Sequence, residues 1–154
     1  MVKKILPWVL VILLSAFLII GFAMKDKLNN YLSEMMISQA SSDLILPGEA
    51  LSDSLYNYSK NKLGYEITFL EFGSKGCSAC KRMESVLNVV RQKYPEQVNV
   101  VFLNVLDLEN QVLMKYFGIA TIPSQILLNK EGKEVFRHTG YYSAKELSEK
   151  LTLD

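Results

Sequence analysis

Apolar and charged positions divide the chain of 154 residues into three stretches. An uncharged apolar run extends from Ile5 to Met24, a mixed run follows it to residue 43, and alternating apolar and polar blocks fill the remainder. This order predicts an N-terminal membrane anchor over residues 1–24, a juxtamembrane stalk over residues 25–43 and a folded domain over residues 44–154.

The apolar run contains 20 residues without a charged side chain. As a helix it would rise about 30 Å, which matches the hydrocarbon core of a bilayer. Gly21-Phe22-Ala23 would fit a signal-peptide cleavage site, but signal peptides usually have an apolar region of only about 7–15 residues. The length therefore favours a retained single-pass anchor over residues 5–24. The short tail with Lys3 and Lys4 favours a cytoplasmic N-terminus and an extracytoplasmic domain.

The segment after the anchor carries apolar residues at three- and four-residue spacing, which predicts a short amphipathic helix over residues 25–39. Leu44-Ile45-Leu46 is compatible with a short strand, and Pro47-Gly48 predicts a turn after it. A helix is then expected from about Glu49 to Lys62.

From Gly64 onward the pattern is that of an α/β domain. The uninterrupted apolar content of Val98–Val105 predicts a strand buried on both faces. The order is strand–helix–strand–helix, then a hairpin and a last helix, which predicts a central mixed sheet flanked by helices. The strands are expected at Glu66–Phe72, Val98–Val105, Ser124–Leu128 and Glu134–Thr139, and the helices at Cys77–Tyr94, at Asn110–Phe117 and from Ser143 onward.

Composition excludes several classes of protein. With 17 basic and 16 acidic residues the formal charge is +1, so there is no electrostatic case for nucleic-acid binding. A hydrophobic content of 49% excludes a disordered chain. Two cysteines are too few for a disulfide-stapled mini-protein or a four-cysteine zinc site, and His138 is the only histidine that could supplement them.

The candidate chemistry lies in Cys77-Ser78-Ala79-Cys80, at the start of a predicted helix. The free N–H groups and the positive dipole end of a helix N-terminus stabilise a thiolate, which would allow Cys77 to attack a disulfide. Cys80, one turn further along, would be more shielded and would resolve the mixed disulfide. The spacing alone also fits two free cysteines, a structural disulfide or half of a metal site.

Two separated segments carry a resemblance to a known family. Phe72-Gly73-Ser74-Lys75-Gly76-Cys77-Ser78-Ala79-Cys80-Lys81 resembles the active-site segment of the thioredoxin superfamily. Tyr116-Phe117-Gly118-Ile119-Ala120-Thr121-Ile122-Pro123-Ser124 is similar to its second signature, a proline preceded by a β-branched residue. The resemblance extends over roughly Leu44–Leu151 and implies a thioredoxin-like fold, in which the bond before Pro123 is cis and its loop faces the dithiol.

The resemblance also implies roles for individual residues. Cys77 would be the nucleophile and Cys80 the resolving thiol, the two forming a redox-active disulfide. Ile122, Pro123 and Gly76 would contribute to substrate binding, since a cis X-Pro turn leaves backbone groups free to pair with an extended peptide. Gly76 stands where thioredoxins usually have Trp, and Ser78-Ala79 replaces the usual Gly-Pro, the pair that affects how well the thiolate is stabilised.

Glu71 falls where many thioredoxins bury an acid behind the dithiol. A carboxyl group in an apolar strand has its charged form disfavoured, so its pKa should rise. It could then exchange a proton with Cys80 through water. The alternative is that Glu71 lies at the end of the strand and is solvated. The lysine that often accompanies the family's acid is replaced by Phe102.

By resemblance the protein is a membrane-tethered thiol–disulfide oxidoreductase that reduces protein disulfides outside the cytosol, without a cofactor. It is similar to tethered reductases that keep exported thiols reduced, including those serving cytochrome c maturation. A membrane electron-donor protein fed by cytosolic thioredoxin would recharge it. Ile122 before the proline resembles the reducing branch of the family.

Three alternatives remain open at the level of sequence. The same fold could act as an oxidant or isomerase. A tethered metal-handling protein could use Cys77, Cys80 and His138, since thiolates suit Cu(I), although His138 reads as a surface histidine on an edge strand. A thioredoxin-fold binding module would not need its cysteines at all.

Overall fold

A computed structural model describes residues 2–40 and 42–151, with the side chains of residues 8–40 and 45–151. The described part consists of helices around one four-stranded sheet. In chain order the elements are α1 (Val2–Ala23), α2 (Lys25–Gln39), α3 (Ser42–Tyr56), α4 (Tyr58–Asn61), β1 (Ile67–Gly73), α5 (Ser78–Lys93), β2 (Val98–Asn104), a 3₁₀ turn (Leu108–Asn110), α6 (Gln111–Tyr116), β3 (Ser124–Leu128), β4 (Glu134–Thr139) and α7 (Ala144–Leu151).

Helix α1 contains the apolar run, and its described side chains from Trp8 to Ala23 are all exposed. In the part of the chain whose side chains the structure describes, no single helix is both long enough and apolar enough to span a membrane. Trp8–Ala23 and Lys25–Gln39 meet that test only as a pair, with a bend of 55° between them.

Helix α2 is the predicted amphipathic helix, and it packs against the domain. The Arg137 guanidinium on β4 donates hydrogen bonds to the Ser33 hydroxyl of α2 (3.2 Å) and to the Phe117 carbonyl (2.7 Å). Gly118 has a φ of +58° and lies so close to α2 that a Cβ there would be 2.6 Å from the Ser33 carbonyl oxygen. The segment after α1 is therefore fixed to the edge of the domain by hydrogen bonds and close backbone contact.

The region around Pro47 differs from the sequence prediction. The expected strand at Leu44–Leu46 and the turn at Pro47-Gly48 are wrong, because α3 runs through both. Three apolar residues are too few to distinguish a strand from a helical turn by periodicity. Packing decides the outcome, since Gly48 lies so close to Tyr116 of α6 that a Cβ at Gly48 would be 2.4 Å from the Tyr116 Cβ.

The sheet has the order β2–β1–β3–β4. β1 pairs with β2 in parallel and with β3 antiparallel, and β3 pairs antiparallel with β4, so the predicted mixed sheet is confirmed. β3 and β4 have the bounds predicted from the sequence. The predicted burial of β2 on both faces is wrong, because β2 is an edge strand whose Phe102 is 38% exposed.

Each face of the sheet has its own hydrophobic core. One face packs against α5 and α7 through residues such as Phe69 and Leu127. The other face packs against α3 and α6 through Leu70 and Ile126. Because side chains alternate along a strand, Glu71 lies on the same face as Phe69, which is the face that α5 covers.

A buried hydroxyl connects α4 to the sheet. The Tyr58 hydroxyl lies 2.6 Å from the Thr68 Oγ1 of β1 and accepts a hydrogen bond of 2.8 Å from the Asn99 amide of β2. Tyr58 is almost fully buried. This hydrogen-bonded group of Tyr58, Thr68 and Asn99 lies at the end of the sheet opposite to the cysteines.

Candidate active site

The two cysteines lie where β1 gives way to α5. Cys77 is the N-cap of α5, and its Sγ accepts a hydrogen bond of 3.2 Å from the backbone N–H of Cys80. The two sulfur atoms are at disulfide distance, with 5.2 Å between the Cα atoms. Cys77 is half-buried, whereas Cys80 is only 4% exposed. An incoming sulfur therefore has better access to Cys77, whose sulfur also receives the helix N–H.

Gly73, the last residue of β1, supports the buried cysteine. A Cβ on Gly73 would be 2.9 Å from Cε2 of Phe102 and 3.3 Å from the Cys80 Sγ. A larger residue at position 73 would require the Phe102 ring or Cys80 to move. Sequence reasoning gave Gly73 no role, although a glycine at a strand end is a signal for close approach of another group.

A groove of about 240 Å³ opens beside Cys80, which forms part of its wall. Phe102 and Leu87 form its apolar side. Its polar side is mostly cationic and consists of Ser74, Lys75, Lys81, Glu84 and Arg91. The excess of positive charge near the dithiol favours a thiolate over a thiol.

The proline loop lies at the same end of the sheet as the dithiol. The Ile122–Pro123 peptide bond is cis. Ser124 pairs with Phe72, so Pro123 lies beside the end of β1, where the loop to Cys77 begins. The Pro123 carbonyl accepts a hydrogen bond of 2.8 Å from the Gly140 N–H. Ile122 is half-buried and Gly76 is exposed, with open space around the Gly76 Cα.

Glu71 is completely buried in the interior of β1, so the alternative of a solvated carboxyl does not apply. Burial raises the pKa of Glu71 to about 8, and the neighbouring Gln125 amide acts in the opposite direction. Neither carboxyl oxygen has a hydrogen-bond partner among the described residues. Gly73 lies two residues along the same face, about 7 Å away, and a Cβ built on it would be 3.3 Å from the Cys80 Sγ. A proton could cross this short distance through water.

Glu71 belongs to a row of residues that faces α5 across the whole sheet. Phe102, Glu71, Gln125 and His138 are direct partners in register on the four adjacent strands. Gln125 is fully buried, and neither its amide nitrogen nor its oxygen has a partner among the described residues. Sequence reasoning missed Gln125, whose signal is an amide within the apolar run of β3.

His138 is not the surface histidine that the sequence predicts. It does lie on an edge strand, but its side chain is only 12% exposed because α2 and Tyr142 cover it. Its Nδ1 lies 3.9 Å from the Asp26 carboxylate of α2, and its buried Nε2 has no partner in the described part of the chain. Burial lowers the pKa of His138, while Asp26 acts in the opposite direction.

Within residues 2–40 and 42–151, no three His, Cys, Asp or Glu side chains form a group that could hold a metal ion. The arrangement is instead suited to sulfur chemistry. It combines an accessible sulfur at a helix N-terminus, a second sulfur one turn deeper and a buried acid behind them.

Comparison with known proteins agrees with this arrangement. A family model described as "thioredoxin-like domain" matches residues 56–153. The chain is 34% identical over 67 residues to the thioredoxin-like protein HCF164, chloroplastic, of Oryza sativa subsp. japonica, and 31% identical over 84 residues to the protein of that name from Arabidopsis thaliana. These alignments cover 44% and 54% of the chain but only 26% and 32% of the relatives' lengths.

Solved structures show the same likeness. The thioredoxin NaTrxh from Nicotiana alata is 31% identical with a TM-score of 0.52, over 64% of this chain and 80% of its own. The exposed lipoprotein thioredoxin Etrx1 from Streptococcus pneumoniae shares the fold at 16% identity, with a TM-score of 0.52 over 59% of this chain and 87% of its own. The similarity therefore covers the region that contains the dithiol and the proline loop.

Proposed function

The chain belongs to the thioredoxin-like domain family, and we propose that it is a membrane-tethered thiol–disulfide oxidoreductase that reduces protein disulfides. The observation that carries the proposal is the pairing of a half-buried Cys77 at the N-terminus of α5 with a buried Cys80 one turn deeper. The match to thioredoxin-like proteins supports the same chemistry.

The reaction proceeds by two exchanges at sulfur. The Cys77 thiolate attacks one sulfur of the substrate disulfide, which forms a mixed disulfide and releases the other substrate sulfur as a thiolate. Cys80 then loses its proton and attacks the Cys77 Sγ. The second substrate sulfur leaves, and the Cys77–Cys80 disulfide remains. Two electrons pass from the dithiol to the substrate, whose thiolates take up two protons.

Glu71 is the proposed acceptor of the Cys80 proton. Buried behind the dithiol, it can take this proton through water when ionised and can return it when the disulfide is reduced again. A pKa of about 8 is close to the working range of a proton carrier near neutral pH. The buried position of its carboxyl, on the strand that leads to the cysteine loop, supports this role.

Ile122, Pro123 and Gly76 are the proposed substrate-binding residues. They lie at the end of the sheet that carries the dithiol, and the backbone around the proline can pair with an extended peptide. The preferred substrates are therefore disulfides in extended or flexible protein segments.

Reduction is the proposed direction, with oxidation or isomerisation by the same site as the alternative. Ile122 before the proline supports reduction, because it is similar to the reducing branch of the family. A reductase that works outside the cytosol needs a source of electrons. We assign that role to a membrane electron-donor protein, and the dithiol needs no cofactor.

The tether is residues 1–24, followed by a juxtamembrane segment over residues 25–43 and the thioredoxin-like domain over residues 44–154. Its support is the apolar surface of α1, which is exposed along its whole described length from Trp8 to Ala23. Such a surface is unfavourable in water and favourable in lipid. The short, positively charged N-terminal tail favours a domain outside the cytosol.

Reduction of insulin disulfides by the full chain in detergent, with dithiothreitol as the electron source, tests the chemistry. The Cys77→Ser variant should lose activity completely, while the neighbouring Ser78→Ala variant should keep it. Activity that survives Cys77→Ser would refute the mechanism. Titration of the dithiol against glutathione decides the direction, since a potential below about −230 mV favours reduction and one above about −180 mV favours oxidation or isomerisation.

A further inference from the structure

Among the described residues, five buried polar atoms without a hydrogen-bond partner belong to the row behind the dithiol. They are the two carboxyl oxygens of Glu71, both amide atoms of Gln125 and the Nε2 of His138. Buried polar groups in folded proteins are nearly always paired. These three side chains are neighbours in register on adjacent strands, with Gln125 in the middle, so its amide can pair with Glu71 on one side and with His138 on the other.

We infer that the Gln125 amide links the protonation of Glu71 to the tautomer of His138, the ring nitrogen that carries the imidazole proton, so that His138 is a positioning residue for the buried acid. Only the consequence of this linkage for catalysis rests on the proposed function. The linkage itself depends on the geometry of the row.

One orientation of the amide suits a protonated Glu71. The Glu71 hydroxyl donates to the Gln125 Oε1, and the Gln125 Nε2–H donates to the Nε2 of a neutral His138. The proton of His138 is then on Nδ1, which lies 3.9 Å from the Asp26 carboxylate. In this state every buried atom of the row except one carboxyl oxygen has a partner.

The reversed orientation suits an ionised Glu71. The Gln125 Nε2–H then donates to the carboxylate, and the Gln125 Oε1 needs a donor, which His138 supplies when its proton is on Nε2 instead of Nδ1. The proton that leaves Glu71 goes to the Cys80 sulfur or to solvent. The His138 proton moves from Nδ1 to Nε2 by exchange with solvent beside Asp26, so the row loses one proton in total, the one from Glu71, and no electrons move.

The surroundings of His138 allow this exchange. Helix α2 presents the Asp26 carboxylate and the Lys25 ammonium, and α7 contributes the more distant Glu146 carboxylate. The Tyr142 ring packs on the imidazole at 4.4 Å between centroids. The carboxylates favour a histidine cation, whereas burial and Lys25 oppose it. Asp26 is half-exposed, so it provides the contact with solvent.

The test uses the imidazole as its own reporter, because His138 is the only histidine in the chain. The 15N shifts of the full chain in detergent, in the oxidised state, are followed from about pH 5 to about pH 9.5. Wild type should show a second step in the Nε2 shift at the pH where Glu71 ionises. That step should be absent in Glu71→Gln and in Gln125→Met, which keeps the side-chain length without the amide.

The exposed acid Glu96 provides the matched control, since Glu96→Gln should leave both steps in place. A second step that persists in Glu71→Gln would overturn the linkage. One that persists in Gln125→Met but not in Glu71→Gln would show a field effect through space and would overturn the role of the amide. Gln125→Leu replaces Gln125→Met if the latter does not fold. Insulin reduction by the same samples reports on the proposed function separately, because the shifts do not depend on turnover.

Discussion

A Cβ on Gly118 would lie 2.6 Å from the carbonyl oxygen of Ser33, so α2 and the loop after α6 are in direct backbone contact. Gly118 also has a φ of +58°, which other residues adopt at a cost of about 1–2 kcal/mol. The family model matches Gly118, but its match begins at residue 56 and so does not include Ser33 or the rest of α2. The attachment of α2 is thus a property of this chain that a mutation can test.

Gly118→Asn should release α2 from the domain. Asparagine tolerates a positive φ, so the main effect is the clash of its Cβ with Ser33. We expect the amides of residues 25–39 to exchange with solvent at least about tenfold faster, which corresponds to about 1.4 kcal/mol. Gly64→Ala is the control, because nothing lies within 4 Å of its Cβ position. Unchanged exchange in Gly118→Asn would contradict the docking of α2.

Gly73→Ala should impair the dithiol without touching either sulfur directly. The added Cβ would overlap the Phe102 ring and press on Cys80, and such overpacking typically costs about 1–3 kcal/mol. We expect slower insulin reduction and a lower melting temperature. Phe102→Leu in the same chain removes the overlapping ring atom and should restore both. A double variant no better than Gly73→Ala would show that Phe102 is not the obstacle.

Glu71 should make the protein less stable as the pH rises. The unfolded chain loses this proton near pH 4.5, whereas the folded protein keeps it until about pH 8. Between these values the folded state binds more protons, so the free energy of unfolding falls by on the order of 3 kcal/mol from about pH 5 to about pH 7.5.

The Glu71→Gln variant has no such proton to lose, so the decline should disappear. Denaturation of the full chain in urea at the two pH values measures the difference, with Glu96→Gln as the exposed control. A similar decline in wild type and Glu71→Gln would mean that the carboxyl is already ionised in the folded protein.

Tyr58→Phe should destabilise the end of the sheet opposite to the cysteines. Loss of the hydroxyl leaves Thr68 and Asn99 without their buried partner, at a cost of about 1–3 kcal/mol. Tyr65→Phe, which changes the ring that packs against Tyr58, serves as control and should cost much less. Insulin reduction should be unaffected at temperatures where both variants are folded.

The elements predicted correctly are those in which the local sequence pattern and the packing favour the same structure. β3 and β4 were placed to the residue, and the helix after Cys77 was found because its apolar stripe and its cysteine cap coincide. For Glu71 the sequence left two outcomes, burial in an apolar strand or solvation at the end of the strand, and the structure shows burial.

The remaining features depend on which strands are neighbours. The apolar content of Val98–Val105 does not reveal that β2 is an edge strand. In the same way, the three residues Leu44–Leu46 do not reveal that packing of α3 against α6 keeps them helical. The row formed by Gln125 and His138 exists only through the register of β3 with β1 and β4. No local pattern in the sequence contains that register.

The docking of α2 also determines how far the dithiol can travel. Lys25, the first residue of α2, has its Nζ 3.7 Å from the Cβ position of Gly140, whose N–H bonds to Pro123. The end of α1 is therefore close to the proline loop and to the end of the sheet that carries Cys77. With α1 in a bilayer, as proposed, no long flexible linker separates the domain from the membrane helix. Its dithiol stays in a thin layer next to the lipid, where its effective concentration is high for disulfides near the surface and low for those further away.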